Sequence, residues 1–421
     1  MLGVRARELF DGLVGRRTGI VRQIALVDLF DGDAPLFHAG AQIANTHARF
    51  HESHLGLGVG GAGPTREAAV VSALCEGVER YAASLYDARS LQLASYRALG
   101  PERALDPRAF APFSPTQYRE AEFPLTPIDL DTPLRWVEGT RLPSRTPVLV
   151  PAFAVYMPYV PAEPEPLAGV GLSTGLACAE TFVQAEAKAL LEVVERDALA
   201  LTWVLGATPP RAALDGLPSE LLPPRDRIDA FELTTDLGIP VFMVRCVGLG
   251  PRGELVSIGA ACHGEARKAL EKAALEASQD RVYVRMLIDR EPTWAPQPDF
   301  GNVTDFGLHA RLYSGRPALA RRGLAFLDER STPPEPVDRL PVDALARLDA
   351  AGHAVASIDL TPSWARPLGL HVARVVVPGL VPLHGNHTMR CLGHRRLTAR
   401  ALPRGIVHHD APIWPFPHPM P

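Results

Sequence analysis

A five-residue pattern, Glu-x-x-Glu-Arg, occurs twice in this chain of 421 residues. It lies in "SALCEGVER", residues 72–80, and again in "ALLEVVERDA", residues 189–198. Apolar residues recur at helical spacing around both copies, which predicts helices over about residues 66–86 and 182–205. Thr181 followed by Gln184 is a capping-box start for the second helix. The fold must therefore bury the apolar face of each helix while accommodating a row of carboxylates.

A third helix is predicted over about residues 264–288, and each of the three helices carries a polar stripe. Residues three and four apart share a helix face. The stripes are Ser72, Glu76 and Glu79; Gln184, Lys188, Glu192 and Glu195; and Glu276 and Gln279. Carboxylates that converge from three helices repel one another unless cations neutralise them. Mg²⁺ prefers such oxygen ligands and commonly arrives with nucleotide phosphates.

A solvated charged helix face is the ordinary interpretation of any one such stripe. Two observations favour a ligand site instead. The stripe recurs on three helices, and apolar residues crowd both sides of it in "KALLEVVERDALALTWV". The sequence therefore predicts a magnesium and nucleotide site between the helices.

Strand-like segments separate the helices, which predicts a mixed α/β (α+β) fold. The glycine-rich "GLGVGGAGPT" before the first helix is predicted to be a loop, either a phosphate cradle or a plain turn. Residues 97–170 are rich in proline and form a predicted loop-rich insertion. We expect one domain over residues 1–421, which suits the chain length. The strand-like segments are residues 19–30, 36–45, 146–157, 239–248, 254–263, 353–361 and 370–379.

Composition excludes several classes of protein. The 43 basic and 47 acidic side chains give a formal net charge of −4, which provides no basic face for nucleic acid or an anionic membrane. No apolar run is long enough to span a membrane, and the N-terminus lacks a signal-peptide core. The five cysteines lie far apart without a C-x-x-C pair, which argues against structural zinc or disulfides. We expect a cytoplasmic protein.

Three segments resemble the signature blocks of the YcaO family, in their usual order and spacing. They are "GAGPTREAAVVSALCEGVERYAA", "STGLACAETFVQAEAKALLEVVERDALALTW" and "ALEKAALEASQDR". "SIDLTPSWARPLGLHVARVVVPGLVPLH" and "GLHARLY", around His309, resemble further blocks of the family. The resemblance implies β-sheets packed with long helices around a buried ATP site.

The resemblance also implies an ATP- and Mg²⁺-dependent enzyme that acts on backbone amides of a precursor peptide. In the azoline-forming cyclodehydratases (D proteins) of this family, a Cys, Ser or Thr side chain attacks the preceding amide, and phosphorylation of the amide oxygen completes ring formation. Carried over by motif, the ATP-binding residues are Ser72, Glu76, Glu79, Glu192, Glu195, Glu276, Gln279 and Arg281. The magnesium ligands among them are Glu76, Glu79, Glu192 and Glu195.

One position departs from the family pattern. Where the first block often reads Gly-Lys-Gly, this chain has Gly61, Ala62 and Gly63, so a lysine that could contact phosphate is absent. Either an arginine from elsewhere takes this role or ATP binds more weakly.

The segment "WPFPHPMP" favours the azoline-forming branch, because its P-x-P-x-P-x-P pattern resembles the tail of those cyclodehydratases. Prolines at alternate positions hold the backbone extended. Such a strut could deliver the terminal carboxylate into the active site, whereas a disordered tail is the ordinary alternative. The predicted catalytic segment comprises Pro415, Pro417, Pro419 and Pro421.

The resemblance implies a second protein as well. Cyclodehydratase systems use an E1-like leader-peptide-binding partner, and we expect a separate one here because the chain has no room for a fusion. A homodimer stays open. The alternatives are a thioamide-forming YcaO protein, a role in modifying a ribosomal protein, and a non-catalytic nucleotide-binding scaffold.

Overall fold

The computed structural model describes residues 3–44, 58–328, 333–337, 339–399 and 413–421. The three long helices are α2, α4 and α5, and each lies within a few residues of its predicted position. Among the described residues the helices are α1 (Val4–Leu13), α2 (Arg66–Ala83), α3 (Tyr96–Leu99), α4 (Phe182–Val204), α5 (Ala266–Arg290), α6 (Phe306–Arg311), α7 (Pro317–Gly323), α8 (Ala325–Asp328), α9 (Ala344–Ala350) and α10 (Arg395–Ala399).

The strands form three sheets, so the predicted mixed α/β class is confirmed. One sheet has the order β1-β2-β3, the second β11-β10-β9-β8, and the third β4-β5-β12-β13-β7 with β6 paired to β5. The strands are β1 (Val21–Val27), β2 (Phe37–Ile43), β3 (Gly58–Gly63), β4 (Gln92–Ala94), β5 (Leu134–Leu142), β6 (Thr146–Pro151), β7 (Leu176–Ala179), β8 (Arg211–Ala212), β9 (Arg227–Glu232), β10 (Val241–Gly250), β11 (Gly253–Cys262), β12 (Val355–Asp359) and β13 (His371–Val376).

Two predicted strand pairs are present, and the proline-rich segment takes part in the same sheet as one of them. β10 and β11 form a continuous antiparallel ladder from Val241–Cys262 to Gly250–Gly253. β12 pairs antiparallel with β13 on one side and with β5 on the other. Since β5 and β6 come from residues 97–170, that stretch is built into the sheet as well as forming loops.

The glycine-rich stretch before α2 is a strand, so the prediction of a loop over its described residues is wrong. Gly58–Gly63 is β3, paired antiparallel with β2, and residues 56 and 57 lie outside the described part. The glycine at position 61 has a packing reason. A Cβ there would collide with the backbone of Ala69 and Ala73 in α2. The missing side chain lets helix α2 lie directly on the strand.

Helix α5 lies on β11 in the same way. A Cβ at Gly259 would collide with the backbone of Ala273 and Ala277. Alanine at these helix positions keeps the helix surface close to the strand. Two of the three carboxylate-bearing helices are thus seated on a strand by contact between backbones.

Helix α4 lies at the centre of the largest core cluster, which joins it to β10, β11, α7 and the C-terminal segment. Most of its residues are buried, including Glu195 and Asp197. Its N-terminus is capped as predicted, because the Thr181 hydroxyl accepts a hydrogen bond from the Gln184 amide at 3.3 Å. Among the described residues, none of the helices combines the length and apolar character required to cross a bilayer.

Candidate active site

Glu76 on helix α2 is fixed by two hydrogen bonds. The Gly60 amide of β3 donates to Glu76 Oε2 at 2.9 Å, and the Arg80 guanidinium donates to Oε1 at 3.4 Å. The helix itself begins at a capped residue, since Thr65 Oγ1 accepts from the Ala68 amide at 3.1 Å. The strand and the helix turn below therefore orient this carboxylate together. Ser72, one turn earlier on the same stripe, is exposed.

Glu192 and Glu195 on helix α4 share one cation. Arg196 Nε lies 3.6 Å from a carboxylate oxygen of each. The Gly175 amide also donates to Glu192 Oε2 at 3.1 Å. The Glu195 side chain is 4% exposed, and burial, reinforced by Glu276, raises its pKa to about 8. Arg196 offsets only part of this effect.

Helix α5 closes the group with Glu276 and Lys272, whose Nζ lies 3.6 Å from Glu276 Oε1. Burial raises the pKa of Glu276; Lys272 and Arg196 oppose that rise, and Glu192 adds to it. Gln279 lies near the first helix's partner strand, since a Cβ on Gly60 would be 3.5 Å from Gln279 Nε2. The third stripe therefore faces the other two.

Glu79 connects the α2 stripe to α4. Burial raises its pKa well above the ordinary value, and the nearby charges of Glu192 and Glu76 raise it further, against Arg80. Carboxyl groups behave in this way when like charges crowd a poorly solvated space. We call the five glutamates from the three helices the carboxylate cluster; its members are Glu76, Glu79, Glu192, Glu195 and Glu276.

The carboxylate cluster fits Mg²⁺ by its donor chemistry. It offers carboxylate oxygens from three rigid helices, and the raised pKa values of three members show that its own cations do not balance the negative charge. A hard divalent cation with phosphate ligands would relieve that imbalance. Glu76, Glu79, Glu192 and Glu195 are the residues that would hold the metal.

Arg281 lies in a different network from the carboxylate cluster. Its guanidinium contacts Asp33 at 3.1 Å and Asp226 at 2.6 Å, and donates to the Leu249 carbonyl at 2.8 Å. The side chain is 1% exposed. These contacts explain its position structurally, as a tie between α5 and the loops around it.

Three basic residues of the site were not singled out from the sequence. Lys272 and Arg196 each follow or precede a stripe glutamate by one helix turn, a spacing that could have identified them. Arg374 on β13 gives no such signal. Its guanidinium donates to the Ala154 and Leu172 carbonyls, each at 2.8 Å. Burial lowers its pKa to about 10, while Glu192 and Glu79 oppose that shift.

The C-terminal segment, residues 413–421, is packed into the protein rather than exposed throughout. Pro417, Pro419 and Met420 are buried, whereas Pro415 and Pro421 are exposed. Met420 is 2% exposed and belongs to the same core cluster as α4. The alternate prolines therefore form an ordered strut.

Buried side chains hold this segment by its carbonyl oxygens. Tyr313 Oη donates to the Pro417 carbonyl at 2.6 Å, His309 Nδ1 lies 2.7 Å from the His418 carbonyl, and His387 Nε2 lies 3.1 Å from the Pro415 carbonyl. His309 and Tyr313 belong to the "GLHARLY" block, which thus contacts the segment directly. The charge of Arg196 contributes to lowering the pKa of His418, so the segment lies within electrostatic reach of the carboxylate cluster.

We expect the metal-free protein to lose stability as the pH rises from about 6.5 to 8.5. Glu195 has a folded pKa of about 8, raised from 4.5, so the folded state holds a proton that the unfolded chain has released. Stability conferred by this proton is lost as the pH rises through 8, by about 2 kcal/mol over this window for one such group. Glu195→Gln should flatten the slope in urea titrations. An equal slope in both proteins would contradict the assigned environment.

The fold and site define a class of ATP- and Mg²⁺-binding proteins, and comparison with known proteins gives the family. A family model described as YcaO cyclodehydratase, ATP- and Mg²⁺-binding, matches residues 60–381. Since this range exceeds half of the chain, the protein belongs to the YcaO family.

Relatives and solved structures agree with this membership. An uncharacterized protein in the tfuA 3′ region of Rhizobium leguminosarum bv. trifolii is 28% identical over 243 residues, which covers 53% of this chain and 54% of that protein. A heterocyclase in complex with substrate and cofactor has a TM-score of 0.74 at 21% identity, covering 99% of this chain and 57% of that one. The chain therefore spans little more than half the length of each.

The E. coli microcin synthetase McbBCD complex with pro-MccB17 bound has the same fold. The TM-score is 0.61 at 15% identity, and the alignment covers 94% of this chain and 96% of the matched chain. The likeness supports the predicted fold, β-sheets packed with long helices.

Proposed function

We propose that this chain is an ATP-dependent cyclodehydratase that converts Cys, Ser or Thr residues of a ribosomally made precursor peptide to thiazoline or oxazoline rings. The carboxylate cluster carries the proposal, because five glutamates from three helices are a liability to the fold until cations and phosphates occupy the space between them. Membership of the YcaO family and the packed proline segment support the azoline-forming branch.

In the proposed reaction the substrate's Cys, Ser or Thr side chain attacks the preceding amide carbon and gives up its proton. The former carbonyl oxygen takes the γ-phosphoryl group of ATP and then leaves as phosphate, while the amide N–H loses its proton and a C=N bond forms. The products are the azoline, ADP and phosphate. An amide oxygen leaves poorly by itself, and phosphorylation supplies the leaving group.

The protein's contribution is positioning, as in other phosphoryl transfers. Glu76 is oriented by the Gly60 amide and Glu192 by the Gly175 amide, so both point into the space between α2 and α4 before any ligand binds. Bound Mg²⁺ would neutralise phosphate charge at this position. Preorganised carboxylates avoid the cost of rearrangement when the nucleotide binds.

Lys272 is the residue we assign to the phosphate-contacting role that Ala62 cannot fill. Ala62 is buried in β3 and 8% exposed. The Lys272 side chain is 55% exposed and lies beside Glu276, so its ammonium group is accessible to a ligand in the cluster. Glu276, followed by Glu195 and Glu192, raises its pKa, which keeps the ammonium charged.

The proline segment is assigned to the active site. His309, Tyr313 and His387 hold its carbonyls, and the exposed Pro421 follows the buried Met420. We assign the end of the segment to contact with the reacting amide, where a carboxylate would accept a proton. Ser72 and Gln279 are assigned to the nucleotide, at the two edges of the cluster.

The proposed partners are the precursor peptide and a separate E1-like protein that binds its leader. The likeness to the McbBCD assembly, which was solved with its pro-peptide bound, supports an assembly of this kind. The net charge of −4 supports the absence of a nucleic-acid partner.

The decisive experiment incubates the chain with partner, candidate peptide, ATP and Mg²⁺ and weighs the peptide by mass spectrometry. Each ring should remove the mass of one water, and phosphate release should depend on the peptide. Nucleotide binding without peptide-dependent turnover would instead identify a scaffold. Sulfide-dependent exchange of oxygen for sulfur would identify thioamide formation.

We expect Mg²⁺ and ATP together to raise the unfolding temperature of the chain. A ligand present at about 100 times its Kd stabilises the folded state by about 2.7 kcal/mol. The shift should disappear with EDTA, and Lys272→Met should reduce it because a phosphate contact is lost. Differential scanning fluorimetry measures both effects. An unchanged melting curve at millimolar Mg·ATP would contradict nucleotide binding at the carboxylate cluster.

A further inference from the structure

Three buried histidines lie together where the C-terminal segment meets the rest of the protein. His309 comes from α6, His384 from the loop after β13, and His418 from the segment itself; their exposures are 0%, 5% and 0%. One ring nitrogen of each lies within 4.8 Å of the others. The mechanism proposed above uses none of these three nitrogens.

The hydrogen bonds of His309 define which of its nitrogens is free. Nδ1 lies 2.7 Å from the His418 carbonyl, an oxygen that can only accept, so Nδ1 carries the proton. Nε2 therefore presents a lone pair, and it is buried without a partner. This is the arrangement of a metal-binding histidine, whose other nitrogen is typically fixed by a carbonyl or carboxylate.

His384 adds a second nitrogen in the same condition. Its Nε2 is also buried without a partner, and its ring stands nearly perpendicular to that of His309, with the centroids 5.6 Å apart. Buried polar atoms are nearly always paired, so two neighbouring exceptions need an explanation. Burial lowers the pKa of all three rings, which keeps them neutral as a metal requires.

We propose that His309, His384 and His418 form a binding site for a divalent transition metal, with Zn²⁺ as its representative. Three imidazoles with an open fourth position are a known zinc ligand set, and imidazole suits zinc far better than magnesium. The site is distinct from the carboxylate cluster, whose oxygen donors select Mg²⁺. It does not rest on the cyclodehydratase activity.

Metal binding would change the C-terminal segment, because His418 now uses both nitrogens. Nε2 lies 2.7 Å from the His384 carbonyl, and Nδ1 accepts from the Met420 amide at 3.2 Å. The ring also stacks on His309 at a centroid distance of 3.9 Å. Ligation therefore requires the His418 ring to turn and release one of these contacts. The metal would tie the segment to α6 by coordination in place of that hydrogen bond.

The test uses the full chain, stripped with EDTA and titrated with Zn²⁺ or Co²⁺ alone. We expect one Zn²⁺ per chain by elemental analysis after gel filtration. We also expect visible Co²⁺ bands without thiolate charge transfer and a higher unfolding temperature. His309→Ala and His384→Ala should each weaken Zn²⁺ binding at least about 100-fold, the upper range for loss of a mere outer-shell partner. His418→Ala tests the ligand on the segment.

Two control variants separate the site from the other metal-binding side chains. His387→Ala removes a neighbouring histidine that also holds the segment, and His371→Ala removes one on β13; both should keep wild-type Zn²⁺ affinity. Wild-type protein that retains no Zn²⁺ and shows no Co²⁺ bands overturns the proposal, whatever the variants do. Affinity that survives in both His309→Ala and His384→Ala also overturns it, because the metal then lies elsewhere.

Discussion

Glu76→Gln, Glu79→Gln, Glu192→Gln and Glu195→Gln should each reduce peptide-dependent ATP turnover by about 100-fold or more. Each change keeps the shape of the side chain and removes one carboxylate from the positions assigned to the metal. The loss should appear as phosphate release measured at saturating peptide, partner and Mg·ATP. Excess Mg²⁺ should restore part of the activity if the defect is in metal affinity.

The same variants should remain folded. Replacement of a crowded carboxylate by an amide removes charge repulsion, so the apo proteins should melt at or above the wild-type temperature at pH 8. Glu271→Gln is the matched control, since Glu271 also lies on α5 but outside the stripe. Near wild-type turnover in two or more cluster variants would show that the cavity is wrongly assigned.

The second large effect is expected at the C-terminal segment. Residues appended after Pro421, or deletion of Met420 and Pro421, should lower ring formation by about 100-fold, the cost of an ångström-scale misplacement. The Kd for Mg·ATP should change little, because its assigned ligands lie on α2, α4 and α5. Mass spectrometry of the peptide gives the rate, and calorimetry gives the affinity.

The appended variant is the more informative of the two. Met420 is buried in the main core, so its deletion also leaves a cavity that can cost about 2–5 kcal/mol of stability. An extension leaves Met420 in place and moves only the charged end. The same residues appended before Met1 are the control and should be harmless. Wild-type cyclisation by the extended chain would exclude the end of the segment from catalysis.

The long helices could be predicted from the sequence because their signals are local. Apolar spacing and the Thr181 cap are properties of neighbouring residues, and α4 begins and ends within one residue of its predicted bounds. The convergence of the three stripes also followed, since buried carboxylates on separate helices are stable only as a group. The β10–β11 hairpin has the same local origin, in alternating apolar residues around a turn.

Other parts of the site depend on contacts between distant residues. The glycines of β3 look like a loop in sequence, because local preference does not show that a helix backbone will cover Gly61. Arg374 approaches the cluster from β13, and no spacing connects it to α2 or α4. Arg281 follows a family motif and has burial and ion pairs that only the fold reveals.

The histidines around the C-terminal segment show the same limit. Residues 309, 384 and 418 are separated by loops and strands, and no local pattern among them has the spacing of a metal site. They meet because the segment returns across the core built around α4. A scan for ligand spacing finds sites on one element and misses those assembled by the chain's return.

The seating of α2 and α5 on Gly61 and Gly259 affects how this protein can be engineered. The height of each helix above its sheet is set by backbone against backbone, so it does not depend on which apolar side chains fill the surrounding core. Core residues could therefore be exchanged to raise thermal tolerance while the spacing between Glu76 and Glu276 stays the same. A designer who wishes to retune the nucleotide pocket has the opposite handle, since enlarging either glycine would lift a whole row of carboxylates at once.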